Sequence, residues 1–346
     1  MTPIAAAAVV VGYGSVGRRH AAVASSLAPT LAIVESKAEA RDGAAADHPQ
    51  ATIAPDLAGL DAAGFPWPDA VAVIATWGPS HASVFHALAD RGVRRILCEK
   101  PMASSVCDAV TMVARARRDG IALGVHHYVR YAGLAPALRT LAAEHQLGQP
   151  VSLVVEGGAA CLLTNGIHFV DFASELFDGE PERVVSTASG DPINPRSPDL
   201  HLYGGTAIWS FAEGREAIIS FSNRSSVAPS ARIFYRDAVV ELDGALEARV
   251  LRRDPEAVQR FPAVTRTGPA SELRFQGTIP GVRGYLEGMR RAFEDVAGGD
   301  VLCPGEAGAA AVTACIGALV ASRDGRSVTL PVDPASAQGR EPWPIS

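Results

Sequence analysis

Hydrophobic and polar positions along the N-terminal third alternate between two periods. Residues 5–11, "AAAAVVV", form a continuous apolar run, the pattern of a strand buried on both faces, and an alanine-rich helical stretch follows after a glycine turn. The alternation repeats through "TLAIVES", "DAVAVIAT" (69–76), a helix from about Ser80 to Arg91, "RRILCEK" (94–100), a helix from beyond Met102 to about Gly120, and "IALGVHH". Strands that alternate with helices predict a parallel sheet covered by helices, ending near residue 125. The rest of the chain changes character. "PVSLVVEGG", "RVVSTAS", "GTAIWSFAEG", "EAIISFSNR", "ARIFYR" and "AVVELDG" are short, rich in β-branched or aromatic residues and bounded by turn residues, which predicts an open, mainly antiparallel sheet. One amphipathic helix interrupts them in "CLLTNGIHFVDFASELF" (161–177). Phe169, Phe172, Ala173 and Leu176 make its apolar stripe, His168 and Asp171 share another face, and Gly179 is its expected stop. Residues 255–280, with several prolines and glycines, are expected to be loop, and "VRGYLEGMRRAFEDVAGG" to be helical. Two domains follow, 1–125 and 126–346, the second an α+β domain whose late helix, about 304–323, is expected to pack back on the first.

Composition narrows the class. A chain of 346 residues, 48% hydrophobic and 20% charged, can bury a real core. The net charge of −6, from 37 acidic against 31 basic residues with no long basic run, argues against a nucleic-acid partner. Five cysteines (Cys98, Cys107, Cys161, Cys303, Cys315) without a CxxC pair argue against a disulfide framework and a zinc site, and fit a reducing cytoplasm. No basic residue precedes the apolar run at Ile4 to Val11, so it is expected to be a strand rather than a signal segment, and no apolar stretch is expected to approach the roughly 18 residues of a membrane span.

The glycine turn supplies the first chemistry. Gly12, Gly14 and Gly17 form GxGxxG between a buried strand and a helix: the first for a tight turn, the second for close approach of a pyrophosphate, the third for packing of helix on strand. Ser15 and Val16 open the helix, whose free N–H groups suit an anion. The second strand ends at Glu35, placed to hydrogen-bond the adenosine ribose and to repel a 2′-phosphate. NAD is therefore the expected cofactor of an α/β Rossmann domain, while Lys37 keeps NADP open. Ligands of such sheets bind beyond the carboxyl ends of the strands, which brings Thr76, Trp77, Glu99 and Lys100 to the cofactor. Partial desolvation of Lys100 would favour the neutral amine that proton transfer needs, Pro101 would fix the backbone, and Glu99 would hold a neighbouring network. "GVHHYVRY" could present His127, Tyr128 and Arg130 to a substrate, Arg130 pairing with a carboxylate or phosphate. His126 and His127 would point to opposite sides of a strand, so no metal is expected.

With Gly12, Gly14 and Gly17 after the first strand, Thr76 and His81 after the fourth, Glu99-Lys100-Pro101 after the fifth, and Gly325-Arg326 leading to Leu330-Pro331, the chain resembles the Gfo/Idh/MocA oxidoreductases. The resemblance covers nearly the whole chain. It implies NAD(P)-dependent hydride transfer to or from a secondary alcohol carbon of a sugar, polyol or sugar derivative, with a homodimer or homotetramer built on the C-terminal sheet. It also implies that Lys100 assists proton transfer, that His81 and Thr76 belong to the cofactor site, and that an aspartate stands four residues before a histidine at the nicotinamide. Here His168 matches the histidine, but Thr164 takes the aspartate's place; Asn165 beside it forms hydrogen bonds without exchanging protons near neutral pH, and Asp171 could orient or support His168. An NAD-dependent regulator without turnover, and a redox-neutral glycosidase, remain as alternatives.

Overall fold

The apolar runs do become the buried strands of a parallel sheet. The computed structural model describes residues 4–158, 161–191, 200–222, 224–260 and 267–345. Contacts divide the chain into two compact units, Met1–Ala132 with Arg283–Val312 and Asp333–Ser346, and Gly133–Val282 with Thr313–Val332. The first unit is thus discontinuous in sequence, unlike the expected break at 125.

In the first unit, β1 (Ala7–Val11), α1 (Ser15–Leu27), β2 (Thr30–Val34), α2 (Ala38–Asp47), β3 (Thr52–Ala54), α3 (Leu57–Ala62), β4 (Ala70–Ile74), α4 (His81–Asp90), β5 (Arg95–Cys98), α5 (Val106–Asp119), β6 (Ala122–Val125) and α6 (Tyr128–Ala132) follow one another. The sheet order is β3-β2-β1-β4-β5-β6, all parallel, so the topology reverses between β1 and β4. Every residue of β1 and β4 is buried, which is why these strands lack alternation. Beyond the strands the ladder runs on: Gly12 N–H donates to Val34 O (2.8 Å), Ala75 N–H to Val11 O (2.8 Å), Glu99 N–H to Ile74 O (2.9 Å) and His126 N–H to Cys98 O (2.9 Å). These bonds pin the loops that carry the candidate site.

The chain then forms the second unit: α7 (Leu134–Glu144), β7 (Pro150–Gly158), α8 (Gly166–Phe177), β8 (Arg183–Ser186), β9 (Ser189–Asp191), β10 (Leu202–Ser210), β11 (Glu216–Ser222), β12 (Ser230–Tyr235), β13 (Ala238–Leu242), β14 (Glu247–Arg253), α9 (Pro255–Arg260) and β15 (Ala270–Thr278). It continues with α10 (Tyr285–Gly298) in the first unit, α11 (Gly305–Asp324), β16 (Val328–Thr329) and α12 (Ala337–Arg340). The second sheet runs β15-β14-β13-β12-β7-β11-β10-β8-β16, with β9 on β10. It is mixed, because β7 and β11 pair in parallel while its other ladders are antiparallel.

Four expectations are corrected. The stretch 255–280 is not loop throughout: it holds α9 and the nine-residue β15, whose largely exposed edge position hides the alternation of a half-buried strand (261–266 lie outside the described residues). The helix at 166–177 stops at Asp178, which takes the left-handed conformation (φ 52°) one residue before Gly179. Tyr128 and Arg130 lie on the short helix α6 rather than at a strand end, because β6 stops at Val125. Finally, α11 is long and apolar enough to cross a membrane, but its apolar stretch is mostly buried inside the protein, as in a core helix. Its glycines explain the fit in the first unit, since a Cβ on Gly308 would stand 2.4 Å from Val125 Cγ2 and one on Gly305 2.8 Å from Leu123 Cδ2.

Candidate cofactor and substrate site

The glycine turn is shaped by three different constraints. Gly12 has φ +98°, and a Cβ there would lie 2.6 Å from Ala75 O. At Gly17 a Cβ would fall 2.0 Å from Gly12 O, so α1 can cross the turn only without a side chain. Gly14 differs: its φ is −75° and a Cβ would meet nothing within 4 Å. Neither fold nor backbone conformation demands glycine at this position, which leaves room above the turn for a ligand to approach. The start of α1 has no side-chain cap and no acidic residue in its first turn, so the amides of Ser15, Val16 and Gly17 meet the helix-start condition for an anion. The geometry fits a dinucleotide pyrophosphate.

Glu35 reaches the same turn from the end of β2. Its Oε2 accepts Tyr13 N–H at 2.8 Å and its Oε1 accepts Lys37 N–H at 2.9 Å, which fixes the carboxylate beside the glycine turn. Arg41 donates to the Glu35 and Ser36 carbonyls (3.0 and 2.6 Å), and Tyr13 OH donates to Asp47 Oδ2 at 2.9 Å. Burial and that bond push the Tyr13 phenol up to about 12. It stays protonated.

At the end of β4, Thr76 Oγ1 accepts from Ser80 Oγ at 2.8 Å, and Trp77 is exposed at 36%. The fully buried His81 faces Pro101 O through Nδ1 (2.9 Å) and Thr76 O through Nε2 (3.0 Å). Burial lowers its pKa against the pull of these carbonyls, and a neutral ring donates to one of them. His81 therefore ties two loops of the site together. Glu99 is also internal, 6% exposed, with Oε1 accepting from His20 Nε2 and His126 Nδ1, both at 2.7 Å. Burial alone would raise its pKa; His126 and His20 outweigh this and hold the carboxyl well below the usual range. It too braces the loop that carries Lys100. Lys100 follows, half-buried, with its N–H donating to Glu99 Oε2 at 3.3 Å. Tyr128 and Arg130 are half-buried on α6, and burial raises the Tyr128 phenol. Gly12 to Gly17, Glu35, Thr76, Trp77 and Lys100 thus share the carboxyl edge of one sheet.

In the second unit, α8 packs on β11 through Gly166, where a Cβ would stand 3.3 Å from Phe221. Asn165 Oδ1 accepts Cys161 N–H at 3.1 Å and closes the turn that starts the helix, a structural task for a residue expected at the substrate. Thr164 is buried at 7%, His168 is half-buried in the first turn, and Asp171 is 2% exposed, so the predicted polar face of this helix is largely interior. Sequence reasoning missed His20. Its signal was a histidine inside the buried stripe of α1, with Gly17, Ala21, Ala24 and Leu27. A second signal went unread: Lys37 and Lys100 are the two lysines of a chain with 29 arginines.

Comparison with known proteins adds the family. Residues 7–127 match the Gfo/Idh/MocA model, described as an oxidoreductase family with an NAD-binding Rossmann fold. The chain is 29% identical to D-apiose dehydrogenase of Paraburkholderia graminis over 188 residues, 50% of this chain and 48% of that protein. It is 26% identical to 1,5-anhydro-D-fructose reductase of Ensifer adhaerens over 35% of this chain and 41% of that one. The chain spans about half the length of these relatives. Among solved structures, levoglucosan dehydrogenase in complex with NADH aligns with a TM-score of 0.74 at 18% identity, covering 94% of this chain and 99% of that one. UDP-N-acetylglucosamine 3-dehydrogenase from Acidithiobacillus ferrooxidans aligns at 0.72 and 21%, covering 94% and 99%. At such identities the structures share the fold.

Proposed function

We propose that the chain, whose residues 7–127 match the Gfo/Idh/MocA oxidoreductase family with its NAD-binding Rossmann fold, is a dehydrogenase or reductase acting on a secondary alcohol of a sugar, polyol or sugar derivative. The observation that carries this reading is Lys100, half-buried at the carboxyl end of β5 on the sheet edge that holds the glycine turn. NAD, when bound, supplies the hydride chemistry. The protein supplies orientation and proton management. Gly14 and the start of α1 hold the pyrophosphate, and Glu35 selects NAD over NADP by repelling a 2′-phosphate. In the oxidative direction the carbinol C–H leaves as hydride, and the hydroxyl proton passes to the neutral Lys100 amine or to the His168 imidazole. Reduction returns the same proton to the carbonyl oxygen. Tyr128, protonated at neutral pH, donates to a substrate hydroxyl, and Arg130 pairs with an acidic substituent where the substrate has one. Thr164, a neutral residue, leaves His168 as the titratable member of its turn, which favours substrates that need one proton acceptor there.

The same reading gives a cytoplasmic homodimer or homotetramer with the second sheet as the contact, supported by the apolar side chains of Val151 (48% exposed), Phe234 (37%) and Leu273 (50%) on that sheet's strands. The test is a panel of sugars, polyols and nucleotide-linked sugars, assayed for reduced-nicotinamide absorbance with NAD and NADP. Turnover on at least one member with NAD is expected. Tight NAD binding without turnover on any member, or glycoside cleavage without net NADH, would overturn the reading.

A further inference from the structure

Three buried histidines hold the residues on either side of Lys100. His20, 1% exposed on α1, and His126, 1% exposed after β6, each bond Glu99 Oε1 at 2.7 Å, and His81 bonds Pro101 O at 2.9 Å. A carboxylate only 6% exposed is costly unless it is hydrogen-bonded, so a solvated residue would be the more favourable choice at this strand end. The cluster joins the dinucleotide helix, the end of β5 and the end of β6 at one point. His20, Glu99 and His126 have donor atoms close enough together for a metal ion, but the remaining nitrogens, His20 Nδ1 and His126 Nε2, are buried without a partner. Metal-bound histidines carry a proton on the second nitrogen and give it to an acceptor, whereas here a metal would bury two unpaired N–H groups. In the metal-free arrangement each ring gives its single N–H to Glu99 and buries a lone pair instead.

Resting on the reading of Lys100 as a proton-exchanging group, we propose that Glu99, clamped by His20 and His126, is a positioning residue that fixes where the Lys100 amine stands. Glu99 Oε2 receives the Lys100 N–H while Oε1 is held from two sides, so the carboxylate cannot rotate without releasing Lys100 or leaving a buried imidazole N–H unpaired. The binding helix α1 is thereby linked to the proton-exchanging residue through one side chain.

The two lysines of the chain make the test direct. Glu99→Gln keeps the shape and one oxygen for the two imidazole N–H groups, but puts an NH2 donor where Oε2 accepts the Lys100 backbone N–H. Acylation by an N-hydroxysuccinimide ester, read by peptide mass spectrometry, should rise at Lys100 by at least about threefold relative to Lys37 in this variant, because the loop opens and the neighbouring negative charge is gone. NADH affinity by fluorescence should stay within about threefold of wild type, while kcat falls at least about tenfold and KM changes less. Should Glu99→Gln fail to fold, His20→Gln and His20→Leu replace it: Gln retains a donor toward Glu99, so its Lys100-to-Lys37 ratio should lie nearer wild type than that of Leu. An unchanged or lower ratio in folded Glu99→Gln, or equal ratios in the His20 pair, overturns the proposal. If wild type turns over no substrate, the proposed function fails, but the labelling ratio still decides the positioning role.

Discussion

Two alanine substitutions in one turn should separate fold from function. At Gly17 a methyl group would sit 2.0 Å from Gly12 O, far inside any van der Waals contact, and the obstacle is backbone rather than a flexible side chain. Helix α1 must then move off the turn, and overpacking of this kind costs about 1–3 kcal/mol or more. At roughly 2–4 °C per kcal/mol for a domain of this size, Gly17→Ala should lower Tm by about 2–12 °C. At Gly14 the same methyl meets nothing within 4 Å, and its φ of −75° and ψ of −168° suit alanine, so Tm should move by less than about 2 °C. Yet that methyl occupies the space where a pyrophosphate oxygen would reach the amides. Loss of even one such charge-assisted hydrogen bond costs about 1.5–3 kcal/mol, so NADH should bind about ten- to a hundredfold more weakly. Thermal melting and NADH fluorescence titration of both variants are the assay. Unchanged NADH affinity in Gly14→Ala would refute the placement of the pyrophosphate, and an unchanged Tm in Gly17→Ala would refute the packing argument.

Three further outcomes are expected. Lys100→Ala and His168→Ala should each lower turnover at least about tenfold with NAD binding nearly unchanged, measured by steady-state kinetics beside NADH titration; wild-type turnover in both removes them from the mechanism. Glu35→Ser should reduce the preference for NAD over NADP at least about tenfold, measured as the ratio of kcat/KM for the two cofactors, since the repelling carboxylate is gone. On acidification, His20 and His81 are the groups to watch: burial lowers both pKa values, so the unfolded chain takes up protons the fold refuses. Their stability contribution is complete above the unfolded value of about 6.5 and is lost as pH falls below it, by up to about 1.4 kcal/mol per pH unit for each proton. Tm should fall steadily from pH 7 to 5.5, and a Tm that is flat or rising over that range contradicts the neutral assignment.

The parts of the molecule legible in sequence are those whose cause is local. β1 and β4 are buried on both faces and read as unbroken apolar runs, and the glycine turn announces itself because Gly12 and Gly17 are forced by contacts within or beside the turn. β15 escaped because both its faces are partly open and its alternation slips at Leu273–Arg274, so period two is too short and too shallow to read in its side chains. Helix α7 carries a helical stripe, with Leu134, Leu138 and Leu141 all buried, but it is short and stands beside strand-like segments that mask its period. The site divides along the same line. Glu35 and Lys100 stand at strand ends and could be placed by counting, whereas the partners of Glu99 lie 79 and 27 residues away and meet it only when the sheet closes. Such a cluster still leaves a trace, since His20 and His126 are polar residues in stretches whose neighbours are apolar, and a buried polar group implies a partner somewhere else in the chain. Lysine usage adds a trace of another kind. In a chain where 29 of 31 basic residues are arginine, guanidinium serves the ordinary surface, so a lysine at a strand end points to what guanidinium cannot do, which is to lose a proton near neutral pH. By that argument Lys100→Arg, however well the guanidinium fills the space, should abolish turnover while leaving the fold intact.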